Sequence, residues 1–160
     1  MSKAFVASLS TAFTLILLSA HTANAQTGTS VDRGDCPVYH GGEFSQRYSP
    51  LDQINAENVG SLEIAWRFAT PNFGPSTDFN NPATPLEIDG VLYVNVGSTR
   101  NVAALDATTG QVLWLWRPQE GSRYDEAPRK GAGRGVAYYS KEGKTRVIDV
   151  TPGYQLVSLD

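Results

Sequence analysis

The chain has 160 residues, a formal charge of −3 at neutral pH, one cysteine, 15 glycines and 9 prolines. One cysteine excludes an internal disulfide and any cysteine-rich metal site. Lys and Arg are scattered and form no basic stripe, which argues against nucleic acid as a partner, and a composition rich in Gly, Pro, Tyr and Trp favours turns and strands over helices.

The first 25 residues carry the parts of an export signal in order. Lys3 is a positive start, AFTLILLSA (12–20) is an apolar run too short to span a bilayer, and ANA (23–25) supplies small residues. This predicts a secretory signal peptide over 1–25, cut before Gln26, and a periplasmic protein. The single Cys36 does not lie at the cut, so no lipid attachment is expected there. Residues 26–34 are small and polar and read as a flexible leader, leaving 35–160 as the folded part. Ser49-Pro50 and Asn55 are expected to start short helical turns, with proline at the first helical position and asparagine as a cap.

SLEIAWRF (61–68) sets Leu62, Ile64, Trp66 and Phe68 on one face and Glu63 and Arg67 on the other, which predicts a half-buried strand. In TPLEIDGVLYVNV (84–96) two apolar runs flank Asp89-Gly90, a strong hairpin signal because a type I′ turn needs positive φ at both centres. NVAALD (101–106) and QVLWLW (111–116) flank Thr109-Gly110 in the same way. SRYDEAPRKGAGR (122–134) mixes both charges with Gly and Pro and is expected to be a long loop, the kind of element that carries function on a rigid scaffold. GVAYY (135–139), TRVIDV (145–150) and QLVSLD (155–160) follow as short strands. Nothing carries a sustained helical period, so the expectation is an all-β chain of antiparallel strands.

NVAALD and QLVSLD both place apolar and small residues before Leu-Asp, and Trp66 and Trp114 each close an alternating segment. Both pairs are separated by roughly 50 residues, and that period with about four strands per unit is the signature of propeller blades. Two unrelated hairpins of a sandwich are the alternative. Within AALDATTGQVLW (103–114), Ala104 would let neighbouring sheets approach, the bare Gly110 would offer a flat surface to an indole from an adjacent blade, and Trp114 would dock on a neighbour. Propellers close with at least four blades. The chain is therefore expected to be the N-terminal piece of a longer protein, the first two to three blades, and marginally stable alone because an open piece leaves blade faces and sheet edges uncovered.

ALDATTGQVLW resembles the tryptophan-docking motif of quinoprotein dehydrogenases, eight-bladed propellers that use pyrroloquinoline quinone (PQQ). CPVYHGGEFSQRYSPLDQINAENVGSLEIAW (36–66) is similar to the N-terminal signature of that family, and ATPLEIDGVLYV and GRGVAYY are similar to its next two landmarks, in the same order. SPLDQINAENV and RGVAYY fit the membrane-linked glucose dehydrogenase branch best. The alcohol and methanol branches carry a vicinal cysteine pair where this chain has Pro128 and Arg129, and a cofactor-contacting Glu where it has Pro82. Cys36 stands at the opening tryptophan of the family.

The resemblance implies oxidation of the hydroxyl of an aldose sugar or alcohol, with electrons passed to a quinone or cytochrome, in a protein with peripheral membrane association. The implied cofactors are PQQ and Ca²⁺, with the general base and the calcium ligands on later blades. No catalytic or metal-ligating residue is therefore assigned among these 160, and the chain alone is expected to be inactive. Arg134 matches the arginine that contacts PQQ, since a guanidinium pairs with carboxylate through two parallel hydrogen bonds. Gly133 and Gly135 fit a close approach of backbone to a flat ring system. Asp106 and Asp160 are expected to accept backbone hydrogen bonds in blade turns, and His40 is expected to pack. The alternatives are a non-catalytic propeller of the same repeat type that serves as a protein-binding scaffold, and a family member that has lost PQQ.

Overall fold

Two turns of one kind set the architecture. Asp89 and Gly90 have φ of 50° and 78°, and Glu142 and Gly143 have φ of 52° and 75°. Positive φ at both centres gives the backbone twist that a two-residue antiparallel hairpin needs. The computed structural model describes residues 34–41, 45, 47–70, 73–76 and 80–160. The signal peptide and nearly all of the leader lie outside the described residues.

The first hairpin joins β1 (Leu86–Ile88) to β2 (Val91–Val96), followed by β3 (Asn101–Asp106) and β4 (Val112–Trp116). They form a four-stranded antiparallel sheet in the order β1-β2-β3-β4. The second hairpin joins β5 (Ala137–Lys141) to β6 (Lys144–Val150), and β7 (Leu156–Leu159) completes a three-stranded antiparallel sheet in the order β5-β6-β7. Order and turn type thus repeat between the sheets, as blades require. The loop over 122–134 contains one helical turn, α1 (Ser122–Glu126).

β3 is the middle of the fold, and each of its five residues from Asn101 to Leu105 is buried. Its side chains alternate between two apolar clusters. Val102 joins Leu86, Ile88, Val136 and Val147, with Tyr93, Trp114, Trp116, Tyr138 and Leu159 packed around them, so this cluster spans both sheets. Ala103 and Leu105 join Val96 on the other face, covered by Trp66, Phe68 and Phe73 from the N-terminal segment. Ala104 pairs with Tyr93 on one side and Trp114 on the other. Its small side chain leaves room for those rings, whose centroids are 6.1 Å apart, and Tyr93 continues to Tyr138 of the second sheet at 5.9 Å.

The turn after β3 is built as the motif predicts. Asp106 Oδ1 accepts from the Thr108 and Thr109 amides (3.0 and 2.7 Å) and from Thr109 Oγ1 (2.8 Å). The Thr109 hydrogen bonds hold the Asp106 carboxyl below its usual range. Gly110 does carry an indole: a Cβ there would lie 2.6 Å from Trp66 Cδ2 and Cε3, and Trp66 Nε1 donates to the Ala107 carbonyl at 3.1 Å. Asp160, the last residue of the sequence, pairs with Arg146 at 2.8 Å.

Two expectations need correction. Residues 61–68 pair with no strand among the described residues, and Leu62 and Ile64 are 57% and 65% exposed. Alternation marks which side chains share a face, but a strand exists only where a neighbour supplies the ladder. This segment meets the first sheet through the rings of Trp66 and Phe68 instead. Ser49-Pro50 starts no helical turn: Ser49 Oγ takes the Leu51 amide (3.3 Å) in a local side-chain turn that competes with one. Asn55 Oδ1 accepts from the Glu57 and Asn58 amides in the turn that leads into a single 3-10 turn, Val59–Ser61, whose cap position is Asn58. Cys36 pairs by backbone with Glu87 of β1 in both directions (2.7 and 3.2 Å), a contact that asks nothing of its side chain.

Trp66→Ala is expected to cost about 3 kcal/mol, the low end for a large aromatic because the ring is only half-buried. Gly110→Ala is expected to cost about 1–2 kcal/mol, since its φ of +72° is left-handed and its new methyl displaces the indole. In the double variant the methyl meets no ring, so urea denaturation should show a combined loss smaller than the sum. A strictly additive loss would mean that the indole does not rest on Gly110.

Candidate functional site

A cavity of about 1310 Å³ opens between the sheets, walled by the turn between β2 and β3, the loop before β5, and strands β5 and β6. Arg134, Gly133 and Gly135 all line it. So do Pro82, Pro128 and Arg129, positions far apart in the chain that the resemblance had singled out. The fold brings every one of them to a single wall. His40 is not among the lining residues; it stacks on Tyr39 at 3.7 Å and meets Arg47 Nη2 through Nε2 at 3.1 Å.

Arg134 is exposed on the wall, and among the described residues its side chain takes no hydrogen-bond partner. Its backbone carbonyl accepts from the Thr84 amide at 3.2 Å, which pins that part of the loop to the first sheet. The neighbouring glycines are each pressed against protein. A Cβ on Gly133 would lie 2.7 Å from Arg100 Nε, and one on Gly135 would lie 2.7 Å from the Thr84 carbonyl oxygen. Their missing side chains let the loop lie close against Arg100 and Thr84.

Among the lining residues that the sequence had not singled out, Arg100 and Asp149 carry the polar chemistry. Arg100, in the turn between β2 and β3, donates from Nε to Gly131 O (3.1 Å) and from Nη1 to Val150 O (2.7 Å). Nothing in the sequence marks it. Asp149, on β6, is 3% exposed and accepts from Asn95 Nδ2 of β2 at 3.3 Å, while Asp149 Oδ2 and Asn95 Oδ1 have no partner among the described residues. Asp149 did leave a signal: it shares the inward face of TRVIDV with Val147, a polar residue at an apolar position.

Burial is the main force raising the Asp149 carboxyl above its ordinary range, and the Asn95 amide and the Arg100 guanidinium oppose it only in part. Among the described residues the wall carries Arg100, Arg129, Lys130 and Arg134 against one carboxyl, Asp149. That is a field for an anion. Among the described residues no group of three or more His, Cys, Asp or Glu could hold a metal ion.

A carboxyl raised by folding binds its proton more tightly in the folded chain. Its stabilisation is full below the unfolded pKa near 3.8 and is lost as pH rises through the higher folded value. Asp149→Asn keeps the shape without the charge. Its melting temperature at pH 7 should equal or exceed that of the parent, and the difference should shrink toward pH 4. A variant much less stable at pH 7 would show that the ionised carboxylate is what the fold uses.

A family model described as "PQQ: Glucose/ethanol/alcohol dehydrogenase, beta-propeller domain" matches residues 36–160. The chain is 38% identical over 126 residues to the dehydrogenase subunit of a quinone alcohol dehydrogenase from Gluconobacter oxydans (strain 621H), covering 74% of this chain and 16% of that protein. It is 34% identical over 136 residues to the quinoprotein glucose dehydrogenase of Escherichia coli (strain K12), covering 83% and 17%. Among solved structures, quinohemoprotein alcohol dehydrogenase from Comamonas testosteroni matches with a TM-score of 0.57 and 33% identity, over 79% of this chain and 18% of that one. A europium-containing methanol dehydrogenase matches with a TM-score of 0.59 and 26% identity, over 74% and 19%. The chain thus spans under a fifth of the length of each of these relatives.

Proposed function

Since the chain belongs to the PQQ-dependent glucose/ethanol/alcohol dehydrogenase β-propeller family, we propose that it forms one wall of a PQQ site in an exported oxidoreductase. The substrate is the hydroxyl of an alcohol or an aldose, and the electrons go on to a quinone or cytochrome. The observation that carries this reading is the cationic wall. PQQ bears three carboxylates, and the described residues lining the cavity include Arg100, Arg129, Lys130 and Arg134, with Asp149 the one acidic group among them.

PQQ, when bound, would supply the electrophilic quinone carbonyl needed for hydride acceptance from an alcohol. This chain's part is to bind and orient. The Arg134 guanidinium, which takes no partner among the described residues, can pair with a carboxylate through two parallel hydrogen bonds, which fixes orientation as well as charge. Asp149 is 3% exposed and its Oδ1 accepts from Asn95 Nδ2, so its charge is set back behind the cations of the wall. Pro82 and Pro128 line the wall without a side-chain donor or acceptor, so the polar grip on this side falls to the cations. No described residue is assigned to calcium or to general-base chemistry. The signal-like order of residues 1–25 supports a periplasmic location, and the relatives include a dehydrogenase subunit of a quinone-linked enzyme, which supports a membrane-linked acceptor.

The test is PQQ binding by the complete polypeptide that contains this chain, with calcium present, followed by dye reduction with glucose and with ethanol. Arg134→Gln should weaken PQQ binding by about tenfold or more, the loss of a charge-assisted hydrogen-bond pair. No PQQ binding, and no dye reduction with any alcohol or sugar, would overturn the proposal.

A further inference from the structure

The loop Gly131–Gly135 carries Arg134, yet belongs to neither sheet. Its near end is gripped by the turn between β2 and β3. The Gly131 amide donates to Ser98 O at 2.8 Å, and Arg100 Nε donates back to Gly131 O at 3.1 Å. The second arm of the same guanidinium reaches Val150 O at the end of β6, at 2.7 Å. One side chain of the first sheet therefore fastens both the loop and the last residue of a second-sheet strand. Gly133 lies directly on that guanidinium, where any side chain would collide with Nε. Arg100 holds this place at a φ of 56°, a left-handed conformation that a side-chain residue adopts at a cost.

We propose that Arg100 is a positioning residue of the site: by bridging Gly131 O and Val150 O it fixes the loop so that the Arg134 guanidinium faces the cavity. The inference rests on the cavity being the PQQ site only for its binding arm. The hydrogen-bond geometry demands a guanidinium, since two carbonyls in different directions are met by two N–H groups of one rigid plane. A lysine in its place keeps the charge and loses the bridge. Arg100 also lines the cavity, so its charge could act on an anion directly, and the experiment has to separate these roles.

Two measurements on the complete polypeptide do so. The first needs no cofactor: amide hydrogen exchange at Gly131 to Gly135 in the parent, Arg100→Lys and Arg100→Gln. Exchange there should speed up at least tenfold in both variants, with β3 unchanged, and parent-like exchange in Arg100→Lys would overturn the proposal. The second is a double-mutant cycle on PQQ affinity. Arg100→Gln and Arg134→Gln should each weaken binding about tenfold, and the double variant should bind no more weakly than Arg134→Gln alone, because Arg100 acts through Arg134. Additive losses, or a parent-like affinity in Arg100→Lys, would mean that Arg100 contributes charge and not position. If the parent polypeptide binds no PQQ, the functional reading fails while the exchange arm still decides the role of Arg100.

Discussion

β3 is covered on both faces, and the rest of the structure follows from how that cover is supplied. On one side Val102 meets residues of the second sheet. On the other, Ala103 and Leu105 meet the rings of Trp66, Phe68 and Phe73. A strand with apolar side chains on both faces cannot be satisfied by its own sheet; it needs a layer on each side. A second sheet provides one layer. Three aromatic side chains of an unpaired segment provide the other, with the Trp66 indole closing over Gly110 at the rim. The tie between turn and tryptophan is therefore a contact across layers, and its chemistry is packing.

Docking the sheets in this way leaves a cleft where their connecting turns meet, and the polar residues gather there. Asn95 and Asp149 face each other across the junction, and Arg100 reaches from the first sheet to the loop and strand end of the second. The apolar cluster fixes the distance between the sheets, while these hydrogen bonds fix the lip of the cavity. A buried carboxyl is costly when ionised, which is why burial raises the Asp149 carboxyl, and the described residues of the wall are mainly cationic. The fold thus produces an anion-receptive surface as a by-product of how its layers join.

Much of this was legible in the residues. Asp89-Gly90 announced a hairpin with its turn type, the spacing of NVAALD and QLVSLD announced a repeating sheet, and Gly110 announced an indole. The site was legible only through resemblance: nothing in the spacing of Pro82, Pro128 and Arg134 says that they share a wall. What the residues hid has physical causes. Residues 61–68 alternate as a strand does, because period two reports a shared face and is silent on whether a ladder partner exists. Arg100 looked like any turn arginine, since its importance lies in two backbone carbonyls that come near only after the sheets dock. Asp149 was visible as a misplaced polar residue, but its partner sits on another strand.

If the cofactor's carboxylates bind in this cleft, hydrogen exchange of the complete polypeptide with and without PQQ shows it most directly. Added PQQ should slow exchange at Gly131 to Val136 and at the end of β6, and leave the Asp106–Gln111 turn, which does not line the cavity, unchanged. Protection that falls elsewhere, or none at the loop despite bound PQQ, would contradict the account.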